Sequence, residues 1–224
     1  MDIITRTRAV IFDFNGTLSD DEPVLQRVFS EIFMAYLGWR MPAAEYYARF
    51  AGLSDREIVQ LAVKERAGSL EDNGPLVDRL LALRRERYLQ LVEETSPILP
   101  DTEALVAAIA DAGHALAIVT GAERADVDFV LSHSSIGHHF GVVVAAEDVA
   151  SGKPHPEGFL AAAGRLGVEP HETVVLEDSL AGVRAALAAG MRCIAVTGTH
   201  GAETLASEGV QTVDVLSPAL TGLL

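Results

Sequence analysis

The chain has 224 residues, 49% of them hydrophobic and 22% charged, which is enough for one sizeable core and a smaller appended domain. A formal net charge of −15 argues against a nucleic-acid or anionic-membrane surface, where clustered Lys and Arg would be expected. No run of about 18 apolar residues occurs. The opening "MDIITRTRAV" lacks a basic stretch leading into an apolar one, and the single cysteine, Cys193, has no internal disulfide partner, so a cytoplasmic protein without a membrane span is expected.

The first predicted element is a strand over "AVIFDF" (9–14), four apolar residues running into Asp13, with Asn15, Gly16 and Thr17 in the turn that follows. From about Asp21 to Glu94 the text is helical instead. "EPVLQRVFSEIFMAYLG", "DREIVQLAVKERAG" and "PLVDRLLALRRERYLQLVEE" are amphipathic, the last with Leu76, Leu80 and Leu83 on one face. The brackets "TLSDDEP" and "TSPILPD" are rich in Ser, Asp and Pro, as hinges are. Beyond them, strand candidates at 115–120, 141–146, 173–178 and 192–197 alternate with helical patterns, and "DVLSP" (214–218) is a candidate edge strand. Alternation of this kind implies a parallel sheet covered by helices. The expected fold is therefore α/β, a Rossmann-like parallel core of residues 1–18 and 96–224 with an all-helical cap domain, 19–95, inserted after the first strand.

In an open parallel sheet, ligands bind beyond the carboxyl ends of the strands. Those ends deliver Asp13, Asn15, Gly16 and Thr17, then Thr120 and Gly121, then "SGKPHPEGF" with Lys153, then "LEDSLAG" with Glu177 and Asp178. The chain has only two lysines, Lys64 and Lys153, so a cation in such a place is informative. His133, His138 and His139 fit no zinc spacing and are expected in a solvated loop.

"DFNGT", "VTG", "GKPHPEGF" and "LEDSLAGVRAALAAGM", in this order, resemble the four motifs of the haloacid dehalogenase-like superfamily. The similarity is to its branch with a helical cap, that of β-phosphoglucomutases and phosphoglycolate phosphatases. The resemblance implies an Mg²⁺-dependent hydrolase of a small phosphorylated metabolite, acting as a monomer or homodimer. It implies Asp13 as the nucleophile that forms an aspartyl-phosphate, and Lys153 as the neighbouring positive charge. Asp13, Asn15 through its carbonyl, Asp178 and Glu177 are then the expected metal set. Gly16, Thr17, Thr120 and Gly121 are expected around the phosphoryl group, with Arg56 and Arg124 as candidate substrate anchors.

One position departs from the family. Where Asn15 stands, phosphatases and mutases carry a second aspartate that protonates the leaving oxygen and then deprotonates water. A carboxamide has no usable proton equilibrium, and loss of a positioned acid–base group removes about 10²–10⁴-fold in rate. A slow or specialised phosphatase, one that recruits another base, and an engineered replacement all remain open. So do a ligand-binding regulatory homologue with little activity and a hydrolase of the phosphonoacetaldehyde hydrolase or dehalogenase kind; for the former, the cap lysine would have to be Lys64.

Overall fold

A computed structural model describes residues 7–93 and 96–224. The first six residues, which carry the expectation of no leader, and positions 94 and 95, at the expected cap boundary, lie outside the described residues.

Six strands form one parallel sheet: β1 (Ala9–Phe12), β2 (Ala115–Val119), β3 (Phe140–Val144), β4 (Thr173–Glu177), β5 (Arg192–Val196) and β6 (Gln211–Val213). Their order across the sheet is β3-β2-β1-β4-β5-β6. The chain thus reverses direction between β1 and β4, and a crevice opens where the two carboxyl ends diverge. Alternate residues feed different faces: Val10 and Phe12 join one hydrophobic cluster, and Ile11 joins the other with Ala117, Val119 and Val175. Because both faces are covered, the strands are continuously apolar rather than alternating. Four helices cover the sheet, α5 (Pro100–Asp111), α6 (Arg124–Ser132), α7 (Glu157–Leu166) and α8 (Leu180–Ala188), and α9 (Ala202–Ala206) packs beside β6.

The edge strand is not "DVLSP". Gln211, Thr212 and Val213 pair with Ile194, Ala195 and Val196, and the chain bends away from Asp214 onward. Thr and Val suit a pleated edge, whereas Pro218 has no N–H to offer a ladder.

Between β1 and α5 stand four helices, α1 (Glu22–Leu37), α2 (Ala43–Arg49), α3 (Asp55–Arg66) and α4 (Leu70–Glu93). The seven-residue α2 is an addition to the three expected; its composition, "AAEYYAR", carries too short a period to show a face. A capping box fixes the start of α3, with Ser54 accepting from the Glu57 amide and Glu57 reaching back to the Ser54 amide. Phe33 stacks on Trp39 with centroids 5.6 Å apart, and Tyr46 and Phe50 complete an aromatic cluster that is continuous with the hydrophobic cluster of Val10 and Phe12. On α4 the buried stripe is Val77, Leu80, Leu81, Arg84, Tyr88 and Val92, while Leu76 and Leu83 are only half-buried. The stripe turns slightly from the one expected, and it passes through an arginine. No described helix is long and apolar enough to cross a membrane.

Candidate active site

The ladder between β1 and β4 runs one residue past the strand: the Asp13 amide donates to the Leu176 carbonyl at 2.9 Å. That bond aims Asp13 into the crevice. The turn then closes on Phe14, whose carbonyl accepts from the amides of Thr17 and Ser19. Gly16 has φ +81°, and a Cβ there would stand 2.1 Å from an oxygen of Asp178, so no other residue fits. Thr17 donates its hydroxyl to Asp178 Oδ1 at 2.9 Å, across the crevice. Its side chain ties two strand ends together.

Lys153 arrives on the loop after β3. Its ammonium lies 2.5 Å from Asp13 Oδ1 and 2.5 Å from Glu177 Oε1, and all three side chains are buried. The second oxygen of Glu177 accepts from the amides of Asp178 and Ser179 and from the Ser179 hydroxyl. Ser179 in turn accepts from the Gly182 amide and caps α8. Glu177 therefore spends its carboxylate on protein donors: it anchors Lys153 and shapes the loop entering α8.

Asp13, Glu177 and Asp178 bring ligand atoms within 4.8 Å of one another, and they are the one such group among the described residues. Three buried carboxylates face one lysine. Burial, only partly offset by Lys153, pushes the Asp13 carboxyl up to about 7. Burial and then Glu177 and Asp13 hold Asp178 well above the usual carboxylate range. Burial works against the Lys153 ammonium, but Asp13 and Glu177 outweigh it and keep its pKa above the ordinary value. The cluster is short of positive charge, and a divalent cation fits that deficit.

On β2, the Thr120 hydroxyl accepts from the Ala122 amide at 3.0 Å and closes the turn into α6. Gly121 meets the loop between α2 and α3 directly: a Cβ would lie 3.2 Å from the Leu53 carbonyl and the Ser54 backbone. Close approach of two backbones is what requires glycine there. A small enclosed cavity of about 30 Å³ results, lined by Asp13, Asn15, Glu22, Tyr46, Asp55 and Gly121 among others. A larger groove of about 330 Å³ flanks it, reaching Thr120 and Lys153 and sharing Gly52, Asp55 and Gly121 with it.

Asn15 is fixed from behind. Its Nδ2 donates to both oxygens of Asp21, at 2.9 and 3.1 Å, and the Tyr88 hydroxyl donates to the same carboxylate. Both candidate anchors are ion-paired, and Arg56 lines the larger groove. Arg56 pairs with Asp78 at 3.3 Å, more than half exposed, on the outer wall of the groove. Arg124 is committed to Asp148 and to the Val143 carbonyl, and lines neither cavity.

Glu22, Asp21, Asp55, Arg84 and Asp126 escape sequence reasoning. Arg84, 2% exposed, pairs with Asp55 at 3.1 Å and with Asp126, joining α3 and α4 to α6. Arg84 falls four residues after Leu80 and four before Tyr88, a signal of burial that a search for leucines passes over. His133 and His138 are exposed and His139 half-buried.

The profile of the haloacid dehalogenase-like hydrolase family matches residues 7–190. The chain belongs to that family. Among relatives of this hydrolase, hexitol phosphatase B of Escherichia coli is 32% identical over 188 residues, spanning 84% of this chain and 82% of that protein. Protein CbbY of Cereibacter sphaeroides is 33% identical over 199 residues, 86% of this chain and 85% of its own. The crystal structure of CbbY from Rhodobacter sphaeroides in complex with phosphate superposes with a TM-score of 0.81 at 29% identity, covering 96% of each chain.

Proposed function

We propose that this hydrolase is an Mg²⁺-dependent phosphatase of small sugar or polyol phosphates that works through a phosphorylated Asp13. The observation that carries the reading is the buried triangle of Asp13, Lys153 and Glu177 at the mouth of the β1/β4 crevice, beside Asp178. An Asp13 oxygen attacks phosphorus, the bond to the leaving oxygen breaks, and water later releases phosphate from the aspartyl ester. Lys153 offsets the repulsion between this carboxylate and an incoming phosphate dianion. Thr120 and the Gly121 amide, at the start of the turn into α6, are suited to hold phosphoryl oxygens.

Asp13, Asp178 and the backbone carbonyl of Asn15 would hold the metal, with Glu177 set behind them as the anchor of Lys153. Bound there, Mg²⁺ supplies the charge neutralisation that lets a carboxylate approach a phosphate. The helices α1–α4 act in this reading as the cap, residues 19–95 over a core of 1–18 and 96–224.

The leaving-group side of the cavity carries Glu22, Asp55 and Tyr46. Arg84, the guanidinium that pairs with Asp55 of that wall, is already matched by two aspartates. Such a wall favours neutral hydroxyl groups and opposes a second anion. Chemistry on a cap lysine is not favoured, because Lys64 is exposed on α3 and lines neither cavity.

Hydrolysis of an aryl phosphate is the direct test. Turnover that requires Mg²⁺, stops with chelator, and falls by about 10⁴-fold or more in Asp13→Asn is expected. Ligand binding without turnover, at enzyme concentrations high enough to detect a single cycle, would instead favour the regulatory homologue.

A further inference from the structure

Asn15 leaves the proposed phosphatase without a proton donor at the usual place, and the structure offers another group on the same cavity wall. Asp21 accepts from Asn15 Nδ2 and so orients the carboxamide, leaving its carbonyl oxygen with no protein partner among the described residues. That oxygen accepts hydrogen bonds but takes no proton. Asp21 itself is spent on Asn15 and Tyr88 and does not line the cavity. Asp55 lines it but is ion-paired to Arg84, and Asp178 holds the Thr17 hydroxyl among the candidate metal ligands.

Glu22 differs from all three. It begins α1, is buried, and lines the cavity with Asp13 and Asn15. Its Oε1 accepts the Tyr46 hydroxyl at 2.9 Å, which fixes the carboxyl group. Its Oε2 has no hydrogen-bond partner among the described residues. Among the described residues no cation pairs with it, and burial, followed by the neighbouring Asp21, pushes the carboxyl up to about 8, with Asp13 and Asp55 adding to the rise. A carboxyl so placed can hold a proton near neutrality and give it up within one cycle.

We propose that Glu22 performs the proton transfers that Asn15 cannot. As the bond from phosphorus to the leaving oxygen breaks, the carboxylic acid of Glu22 gives its proton to that oxygen, releasing the alcohol and leaving Glu22 ionised. The Glu22 carboxylate then takes a proton from water as the water oxygen attacks phosphorus. The bond from phosphorus to Asp13 breaks, phosphate departs, and both side chains return to their starting forms. Asn15 positions the water or hydroxyl through its carbonyl oxygen.

The assignment rests on the phosphatase reading, and rapid-mixing kinetics with two substrates tests them apart. One substrate is p-nitrophenyl phosphate, whose leaving group needs little protonation; the other is a polyol phosphate, whose alkoxide needs a proton. Glu22→Gln keeps an acceptor for Tyr46. It is expected to lose about 10²–10⁴-fold in turnover of the polyol phosphate. With the aryl ester it should release one rapid equivalent of nitrophenol and then stall, with phosphate trapped on Asp13 and visible by mass spectrometry. Adding Asn15→Asp to that variant should restore turnover at least in part, whereas Asn15→Asp alone should gain no more than a few-fold.

Equal losses on both substrates with no burst and no trapped phosphoenzyme would overturn the role of Glu22, as would unimpaired turnover. A large gain from Asn15→Asp in the otherwise unchanged enzyme would overturn it too, whatever Glu22→Gln does to folding. Failure of the unmodified enzyme to place phosphate on Asp13 from either ester would overturn the phosphatase reading itself.

Discussion

Lys153 and Arg84 are both buried cations held between two carboxylates, yet their surroundings differ in kind. Lys153 and both its partners stand on strand-end loops of the sheet, where Glu177 is locked by three donors from its own loop and helix start. Arg84 and Asp55 stand on α4 and α3, and only Asp126, on α6, belongs to the sheet-covering layer. One cluster sits at the strand ends of the sheet; the other ties α3 and α4 to α6. The contrast teaches that a buried ion pair serves chemistry when its frame is fixed in advance, and serves docking when its partners come from separate elements.

The largest effect that would sharpen this contrast is on stability. Arg84→Met strands Asp55 without a counter-charge and leaves Asp126 only the partly exposed Arg85 at 3.4 Å, and a loss of about 3–5 kcal/mol is expected, read as a lower urea midpoint. Lys153→Met should spare folding by comparison, because Glu177 keeps the three donors on its second oxygen and Asp13, pushed up to about 7, takes a proton in compensation. Its penalty is expected in turnover instead, about 10²–10³-fold in kcat as for removal of one charge-stabilising donor. A Lys153 variant as unstable as the Arg84 variant, with normal turnover once folded, would break the distinction.

The smallest effect concerns pH and again separates the two regions. Glu22 and Asp55 are raised, chiefly by burial, to about 8 and about 7 from ordinary values of 4.5 and 3.8. The folded chain therefore keeps protons that the unfolded chain has already shed. The stability this contributes is complete below the ordinary values and is lost as pH rises through about 7 to 8. The thermal midpoint of metal-free protein should fall between about pH 5 and pH 9, and fall less in Glu22→Gln. A midpoint that rises over that interval would contradict the burial of these acids.

What the sequence reveals follows the same boundary. Strand ends announce themselves, because an apolar run that stops on Asp13 or on Glu177 and Asp178 has few other uses, and Lys153 between Gly and Pro is conspicuous in a chain with two lysines. Their roles are less legible than their positions. Only the hydrogen bonds tell that Thr17 serves Asp178, and that Glu177 faces Lys153 and the α8 entrance. Arg56 and Arg124 attract notice as isolated cations near the motifs, but exposed acids, Asp78 and Asp148, claim them. The helical region hides its functional residues for a different reason. Glu22, Asp21 and Asp55 look like ordinary acids in or before a first helical turn, where the macrodipole favours them. What sets Glu22 and Asp55 apart, convergence on one cavity with Asp21 behind it, depends on how α1, α2 and α3 pack.

The cavity above Asp13 encloses about 30 Å³, room for about one or two water molecules. A sugar phosphate does not fit a chamber of that size. In the proposed phosphatase, admitting such a substrate and releasing its product would each part the Gly121 backbone from Leu53 and Ser54. The pace of that parting would then set an upper bound on throughput that no improvement in bond-breaking would lift.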